Sequence, residues 1–403
     1  MQPKPADVVG RFDICARMRK IGLKDGFEIA GKRTLAYILD EFETKSLDVF
    51  LMPSKIVTRM KSHAAIGRAI SWVSWAYLCL LMVVSLLLFA VSENWWFSSA
   101  LTYAPRLPYL VPALALLIVS CLWYRSSFAV NLISTMMVAV PIMGLSLPVS
   151  HWMSSSVSPT GKTLKVISCN VQEFRPDFAA VLAEISRCNP DVVAFQDARR
   201  QLDLLQDYFK IWHVVRDGEY FVASRFPVKM LSVGHMEAFD RDAVMLCELE
   251  LPSTKVLFFN VHQMTPRHGL RALDISSPIT QRGTGRLSQY LDLRAEEASA
   301  LRDFVEGNRG RLPTLIVGDF NVPCESSLYH KHWQGFQNAF NIAGTGYGYS
   351  FPCTRQYCWP SGMPWLRLDH ILADEAWQVR SCFVGKANGS DHHLIAATLE
   401  LPE

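Results

Sequence analysis

Three long apolar stretches constrain this chain more than any other feature. Residues 69–91, 107–124 and 128–147 contain no Asp, Glu, Lys or Arg. A helix needs about 20 apolar residues to cross the hydrocarbon core of a bilayer, so these stretches predict about three transmembrane helices. The alternative is an unusually apolar bundle in a soluble protein, but bundle helices normally keep a polar stripe that faces water.

Basic residues near these stretches predict how the chain crosses the membrane. Those expected on the cytoplasmic side are Lys55, Arg59, Lys61, Arg68 and Arg125. The positive-inside rule then gives a cytoplasmic N-terminus and places everything after residue 150 outside the plasma (inner) membrane. The basic residues that favour the reverse orientation are Arg106, Lys162 and Lys165.

Composition divides the chain into four segments. Residues 1–67 are predicted to be a cytoplasmic or interfacial helical segment, 68–150 a membrane region of three helices, 151–163 a linker, and 164–403 a folded domain outside the bilayer. The linker contains SSSVSPTGK, which is typical of an irregular connection. From residue 162 onward there are 25 basic and 28 acidic residues, a net charge of −3. The domain therefore lacks the broad positive charge of many nucleic-acid-binding proteins.

Short β-rich segments in this domain end in, or begin with, polar residues. These polar residues are Asn170, Asp197, His262, Asp319 with Asn321, Asp369, and Asp391 with His392. Helical periodicity appears between the segments, at residues 178–188 and 291–304. The alternation predicts an α/β sandwich with strands inside and helices on both flanks.

The polar strand ends predict a shared site. A carboxylate at the edge of an apolar sheet is costly unless it is paired, solvated or bound to a cation. One such end is equally well explained as a turn, but six predict a site. Carboxylate and amide oxygens suit Mg²⁺, and histidine exchanges protons near neutral pH, so the set favours hydrolysis of a phosphate ester. In LIVGDFN, Asp319 and Asn321 are two apart and can point to the same side.

Seven segments make the resemblance specific. ISCNVQEF, PDVVAFQDAR, YFVASRFPV, FFNVHQM, LIVGDFNVP, LRLDHIL and SDHHLI follow the order and spacing of the endonuclease/exonuclease/phosphatase superfamily, which residues 164–402 therefore resemble. The resemblance implies a hydrolase with the DNase I-like four-layer α/β/β/α sandwich. Transmembrane helices before such a domain also resemble the VanJ-type membrane phosphohydrolases.

The resemblance implies the following catalytic roles. His262 contacts the phosphate or protonates the leaving group, and Asp319 positions the attacking water. Asn321 holds the phosphate and also counts as a substrate-binding residue. Asp369 orients His392, which acts as a base or as an electrostatic clamp.

The same resemblance implies the metal ligands Asn170, Asp197 and Asp391, with Mg²⁺ or Mn²⁺ as the cofactor. The family normally has Glu where this chain has Asp197. The shorter side chain retracts the carboxylate by about one C–C bond length. One hypothesis is therefore a catalytically impaired, membrane-tethered binding protein.

Other residues have two explanations each. Glu219 either orients His262 or, if the register of its strand is shifted by one residue, points away from it. His393 should point to the opposite face of its strand from His392 and be packed or solvated there. Cys353 and Cys358 are either free thiols or a local disulfide on the oxidising side of the membrane.

A basic segment follows the His262 strand. Its arginines are Arg267, Arg271, Arg282, Arg286 and Arg294. Arg267 and Arg271 are the candidate substrate-binding residues, because guanidinium groups grip phosphates bidentately; the alternative is an ordinary solvated surface. The leading interpretation is a membrane-anchored, metal-dependent phosphatase or phosphodiesterase acting on a lipid-linked or small phosphate ester. The rival is an extracytoplasmic nuclease with a nucleic-acid partner. No protein partner is predicted.

Overall fold

The computed structural model describes residues 54–149, 161–172, 178–200, 202–273, 282–354, 360, 362–386 and 389–402. Most of the predicted N-terminal segment and of the predicted linker lies outside these residues. Ile70–Glu403 form one compact unit that contains both sheets and the apolar helices except for the start of the first one.

The N-terminal part of the structure is helical. Its helices are α1 (Ser54–Leu86, continued by a π-helical turn at Leu87–Val91), α2 (Trp96–Tyr103), α3 (Leu107–Leu122) and α4 (Phe128–Met137, continued by a π-helical turn at Val138–Ile142). Two stretches, Ala65–Asn94 and Arg125–Ile142, are long and apolar enough to cross a membrane. Helices α2 and α3, bent by 75°, qualify as a third span if they are taken together. Two to three apolar helices thus precede the folded domain.

The folded domain contains two six-stranded sheets. Its strands are β1 (Lys162–Asn170), β2 (Val192–Gln196), β3 (His213–Asp217), β4 (Tyr220–Ser224), β5 (Val228–Met236), β6 (Arg241–Glu250), β7 (Lys255–His262), β8 (Thr314–Asp319), β9 (Gln337–Asn338), β10 (Asp369–Ala373), β11 (Gln378–Val384) and β12 (Ile395–Leu401). The strand orders are β11-β12-β1-β2-β4-β3 and β5-β6-β7-β8-β10-β9.

Helices pack around the two sheets. They are α5 (Phe178–Cys188), α6 (Leu202–Tyr208), α7 (Arg267–Leu270), α8 (Arg282–Asn308), α9 (Ser327–Trp333) and α10 (Ala339–Ala343). Helices α5 and α6 cover the outer face of one sheet, and α8 and α9 cover that of the other, whereas α10 packs against the core between the sheets. The first predicted helix, 178–188, matches α5, whereas the second, 291–304, is the middle of the longer α8.

Strand alternation explains the layers, because successive side chains point to opposite faces. Val166 and Val317 pack in the core between the two sheets. Ile167, beside Val166, packs under α5 and α6, and Ile316 packs under α8 and α9. The predicted four-layer α/β/β/α sandwich is therefore confirmed.

The register of the strands gathers the polar residues at one edge. Strands β1 and β2 are parallel, as are β7 and β8, so each pair ends on the same side. His262 lies opposite Asp319 in the β7–β8 pairing. Strand β10 runs antiparallel to β8 and starts there, with Asp369 opposite Asp319.

Gly318 makes the close approach of β7 and β8 feasible. Its φ is +145°, in a region that favours glycine, and a Cβ at this position would lie 1.9 Å from the carbonyl oxygen of Val261. The glycine before Asp319 is therefore required by the pairing that places this acid beside His262.

The predicted Cys353–Cys358 disulfide stays a prediction. Cys353 is a buried free thiol. Its Sγ donates a hydrogen bond to the carbonyl oxygen of Ser350 at 3.2 Å. Cys358 lies outside the described residues.

Candidate active site

The strand ends surround one cavity of about 290 Å³. The sequence-predicted residues that line it are Asn170, Asp197, His262, Asp319, Asn321, Asp391 and His392, together with Arg267 and Arg271. Asp369 lies behind His392, to which it is hydrogen-bonded. All ten candidate residues therefore come together at one rim of the sandwich.

Asp319 is the centre of the arrangement and is only 1% exposed. Its Oδ2 accepts hydrogen bonds from the amide nitrogens of Asn170 (2.9 Å) and Asn321 (3.0 Å). Its Oδ1 accepts from the backbone N–H of Asn321 at 2.8 Å. Burial raises the pKa of Asp319, although the two nearby histidines oppose the shift. The carboxylate is held in one orientation, with an increased affinity for a proton.

His262 forms the first histidine–carboxylate pair. Its Nδ1 lies 2.7 Å from Glu219 Oε1, and its Nε2 points to Asp319 Oδ2 at 3.9 Å. Burial lowers the pKa of His262, but the Glu219 carboxylate more than compensates and the net shift is upward. The contact that the sequence left open for Glu219 is therefore present.

His392 forms the second pair. Its Nδ1 lies 2.9 Å from Asp369 Oδ2, and its Nε2 lies 3.7 Å from Asp319 Oδ2. Burial lowers the pKa of His392, but the carboxylates of Asp369 and Asp319 have the larger effect and raise the pKa to about 10. His393 is 8% exposed and does not line this cavity. Both histidines lie in the loop before β12 and not on a strand, so the predicted strand alternation is wrong as the reason for their different positions.

The three predicted metal ligands are all lining residues of the cavity. Asp197 is half-buried directly after β2, with φ at +53°. Asn170 Oδ1 accepts from the N–H of Gln172 at 2.9 Å, and Asp391 Oδ2 lies 3.4 Å from Arg267. Two carboxylates and an amide oxygen at one rim suit a hard cation such as Mg²⁺ or Mn²⁺.

A second group of possible ligands lies beside the predicted metal ligands. Ligand atoms of Asp319, Asp369 and His392 lie within 4.8 Å of one another, and all three side chains are buried. Asp369 Oδ1 is buried and finds no hydrogen-bond partner among the described residues. Because the pKa of His392 is raised to about 10, its imidazolium supplies a positive charge between these two carboxylates.

Two arginines of the basic segment face the cavity. The Arg267 guanidinium lies 5.2 Å from the ring centre of Phe351, and Arg271 is exposed at the cavity wall. Arg282 and Arg286 are exposed on α8 and are not among the lining residues.

Arg294, which also belongs to the basic segment, does not line the cavity. It is 2% exposed and donates to the carbonyl oxygens of Met264 (2.9 Å) and Asn321 (2.7 Å). It also donates to the Tyr103 hydroxyl at 2.8 Å. Arg294 thus fixes the loop after β8 to helix α2, and its guanidinium is engaged within the protein instead of being directed at a substrate.

Sequence reasoning missed Arg241, at the start of β6. It donates to the carbonyl oxygen of His262 at 2.8 Å and forms an ion pair with Glu219 at 2.5 Å. Burial raises the pKa of Glu219, but His262 and Arg241 lower it to about 2. Arg241 reaches His262 only because β6 pairs with β7, and no local motif signals that contact.

The helical region contacts the sandwich close to this site. Arg106 forms an ion pair with Glu325 at 3.5 Å, and Trp365 Nε1 donates to the carbonyl oxygen of Tyr103 at 3.1 Å. Ser146 pairs with Gly346 in an isolated β-bridge. The segments around Tyr103 and Ser146 therefore contact the domain at the loops after β8 and before β10.

Comparison with protein families gives one match. The family model described as "Endonuclease/Exonuclease/phosphatase family" matches residues 167–392, more than half of the chain. No curated protein matches the chain.

Solved structures resemble part of this chain at low identity. An endonuclease/exonuclease/phosphatase family protein from Bacteroides thetaiotaomicron is 14% identical, with a TM-score of 0.44 over 61% of this chain and 100% of that chain. The 3′ phosphatase NExo from Neisseria, bound to a product DNA hairpin, is 18% identical, with a TM-score of 0.44 over 60% and 100%. An AP endonuclease from Archaeoglobus fulgidus is 18% identical, with a TM-score of 0.44 over 58% and 98%.

Proposed function

The chain belongs to the endonuclease/exonuclease/phosphatase family and is a hydrolase of phosphate esters, and from this premise we propose that it is a membrane-anchored, metal-dependent phosphatase or phosphodiesterase. Its substrate is a lipid-linked or similar small phosphate ester. Water attacks the phosphorus atom, and the bond from phosphorus to the leaving oxygen breaks.

The proposal rests on the position of two histidines on either side of Asp319. The Nε2 atoms of His262 and His392 approach the same oxygen of Asp319, at 3.9 and 3.7 Å. The Nδ1 atom of each imidazole contacts a separate carboxylate, that of Glu219 or Asp369. A buried acid flanked by two oriented imidazoles provides a proton acceptor and two positive charges within reach of one phosphate group.

The side chains divide the work as follows. Asp319 orients the attacking water and accepts its proton, which its raised pKa favours. His262 donates a proton to the leaving oxygen, because Glu219 raises its pKa. His392, kept charged by Asp369, stabilises the negative charge that develops on the phosphoryl oxygens, and Asn321 positions the phosphate.

Asn170, Asp197 and Asp391 would hold the Mg²⁺ or Mn²⁺ ion. When bound, the ion supplies Lewis-acid polarisation of a phosphoryl oxygen. The donor chemistry of these three side chains fits that assignment, because each lines the cavity and carries a carboxylate or amide oxygen.

The chain arrangement follows from the apolar helices. We assign 1–67 to a cytoplasmic or interfacial segment, 68–150 to a membrane region of three helices, 151–163 to a linker and 164–403 to the catalytic domain outside the plasma (inner) membrane. Arg68 and Arg125 on the cytoplasmic side support this orientation. Anchoring brings the site close to lipid phosphates, whose local concentration at a bilayer is high.

A substrate panel tests the proposal. The full chain in detergent is incubated with a lipid phosphate, a lipid diphosphate and plasmid DNA, each with Mg²⁺ and with a chelator. We expect phosphate release from a lipid substrate that depends on Mg²⁺, and Asp319→Asn should lower turnover by about a hundredfold to ten-thousandfold.

The matched control is Asp374→Asn. Asp374 is also buried but lies beyond the other end of β10, where its Oδ2 accepts from the N–H of Thr314 at 2.9 Å. Its variant should retain turnover. Cleavage of DNA alone would establish the nuclease instead, and hydrolysis of nothing in the panel would favour a binding protein.

A further inference from the structure

A second cavity adjoins the catalytic one. It has a volume of about 630 Å³ and lies between helix α2 and the sandwich. Its apolar wall is built by Tyr103, Pro105, Leu270, Phe351, Trp365 and Leu366. Tyr103, Leu366 and Leu368 form one buried cluster there, against which Leu270, Phe351 and Trp365 pack.

The two cavities share part of their lining. Four residues line both of them: Thr265, Arg267, Arg271 and Asn321. Arg267 lies at this shared border, because its guanidinium contacts Asp391 at 3.4 Å and lies over the Phe351 ring. A phosphate in the catalytic cavity therefore lies next to the apolar cavity.

The polar atoms of the apolar wall are largely used within the protein. The Tyr103 hydroxyl accepts from Arg294 at 2.8 Å and contacts Glu93 at 3.1 Å. The Trp365 Nε1 donates to the Tyr103 carbonyl. The N–H of Phe351 donates to Leu366 at 3.0 Å. Three lining prolines, Pro105, Pro266 and Pro352, have no N–H at all. The wall thus presents carbon surface, which suits a hydrocarbon better than the hydrogen-bonding edges of a nucleobase.

The position of the wall points to the same occupant. Tyr103 ends α2 and Pro105 lies in the bend before α3, and this bent pair qualifies by length and composition as a broken membrane span. The apolar cavity therefore opens beside a segment that is long and apolar enough, when both of its helices are counted, to enter a bilayer.

We propose that this second cavity is a subsite for the hydrocarbon chain of a lipid phosphate, and that it receives the carbons next to the phosphate. The inference rests on the proposed function and specifies its substrate class. Arg267 and Arg271 lie where the ester oxygen joins chain and phosphate, so they separate the charged from the apolar half of the ligand. Each methylene that enters should raise kcat/KM by about fourfold until the cavity is filled.

The test uses the full chain in detergent with Mg²⁺ and compares ethyl, butyl and octyl phosphate below their micellar concentrations. Leu273→Trp narrows the cavity, because Leu273 is a half-buried lining residue. We expect kcat/KM to rise with chain length in the natural protein. In Leu273→Trp, we expect the value for octyl phosphate to fall about tenfold and the value for ethyl phosphate to change less than twofold. The control is Leu312→Trp, at a half-buried leucine near the start of β8, which should change neither.

A binding measurement separates the failure of the subsite from the failure of the catalytic proposal. Octylphosphonate and ethylphosphonate are not hydrolysed, and their affinities are measured by calorimetry in the natural protein and in Leu273→Trp. Tighter binding of the octyl compound that is lost in the variant supports the subsite even if no ester is hydrolysed. Equal affinities, or equal losses for both lengths, would overturn it.

A short DNA strand completes the design. If DNA is hydrolysed and Leu273→Trp impairs that reaction as strongly as the octyl reaction, the cavity accepts nucleobases and the lipid assignment is wrong. If the variant leaves DNA turnover unchanged while octyl turnover falls, the lipid assignment is supported.

Discussion

At the residue scale, the site depends on charges that set each other's proton affinity. His262 is buried, which by itself favours the neutral imidazole, yet Glu219 reverses the direction of its pKa shift. Glu219 in turn stays ionised because His262 and Arg241 contact it. A buried acid, a histidine and an arginine from three different segments thus act as one unit, and each is replaceable by a neutral side chain of similar shape.

Glu219→Gln should change the pH dependence of catalysis. A neutral amide no longer stabilises the imidazolium, so the pKa of His262 falls. The proton that His262 gives to the leaving oxygen is then lost at lower pH, and the alkaline fall of kcat/KM should shift down by about 1–3 pH units. Glu248→Gln is the control, since Glu248 pairs with exposed Lys255 far from the cavity. An unshifted alkaline limb in Glu219→Gln would remove His262 from the acid role.

Substitutions at Asp197 test whether its carboxylate, which is shorter than that of Glu, contributes a ligand to the cation. If the carboxylate at the cavity rim contributes a ligand, Asp197→Ala should raise the Mg²⁺ concentration for half-maximal turnover by about tenfold or more. Asp197→Glu should change turnover little, because the site already functions with Asp. Asp203→Ala is the control at an exposed acid. A large gain in turnover for Asp197→Glu would mean that the natural site is impaired.

At the element scale, the pairing of β7 with β8 decides the geometry. The parallel register places His262 opposite Asp319, and Gly318 lies opposite Val261 one step earlier. The motif LIVGDFN indicates a strand with a polar end, and its Asp319 and Asn321 do line the cavity. The need for glycine became evident only from the tertiary structure, in which a methyl group at position 318 would lie 1.9 Å from the neighbouring carbonyl oxygen.

Gly318→Ala should therefore damage both the fold and the site. The added methyl group forces β8 away from β7 and requires a φ that alanine avoids, at a cost of roughly 2–3 kcal/mol in the free energy of unfolding. Thermal unfolding in detergent and turnover measure the two effects. Gly310→Ala, where a Cβ would meet nothing within 4 Å, should behave like the natural chain. Equal melting temperatures for the two variants would contradict this account of Gly318.

At the scale of the whole molecule, the helices and the sandwich are joined at the loop after β8. Arg294 donates to both the Tyr103 hydroxyl and the carbonyl oxygen of Asn321. Asn321 is also bonded to Asp319. The apolar helices therefore do more than precede the domain in sequence, because α2 helps to fix the position of a candidate site residue.

The orientation of the folded domain across the membrane can be tested with protease. With the catalytic domain outside, protease added to intact spheroplasts should digest it, whereas inverted membrane vesicles should protect it. The physical reason is the retention of Arg68 and Arg125 in the cytoplasm. Digestion in the inverted vesicles alone would reverse the topology and would place the site in the cytoplasm. A cytoplasmic protein digested only after lysis of the spheroplasts controls for leakage.

The sequence by itself determined the elements whose signals are local. Apolar length indicated the helices, strand alternation with polar ends indicated the sandwich, and seven short segments indicated the family and the candidate site residues, from Asn170 to His392. Only the tertiary structure showed Arg241 beside His262, Arg294 buried against Tyr103, and the apolar cavity next to the catalytic one. These depend on strand order and on the seating of helices against the domain. Such contacts join residues far apart in the chain, and no local periodicity encodes them.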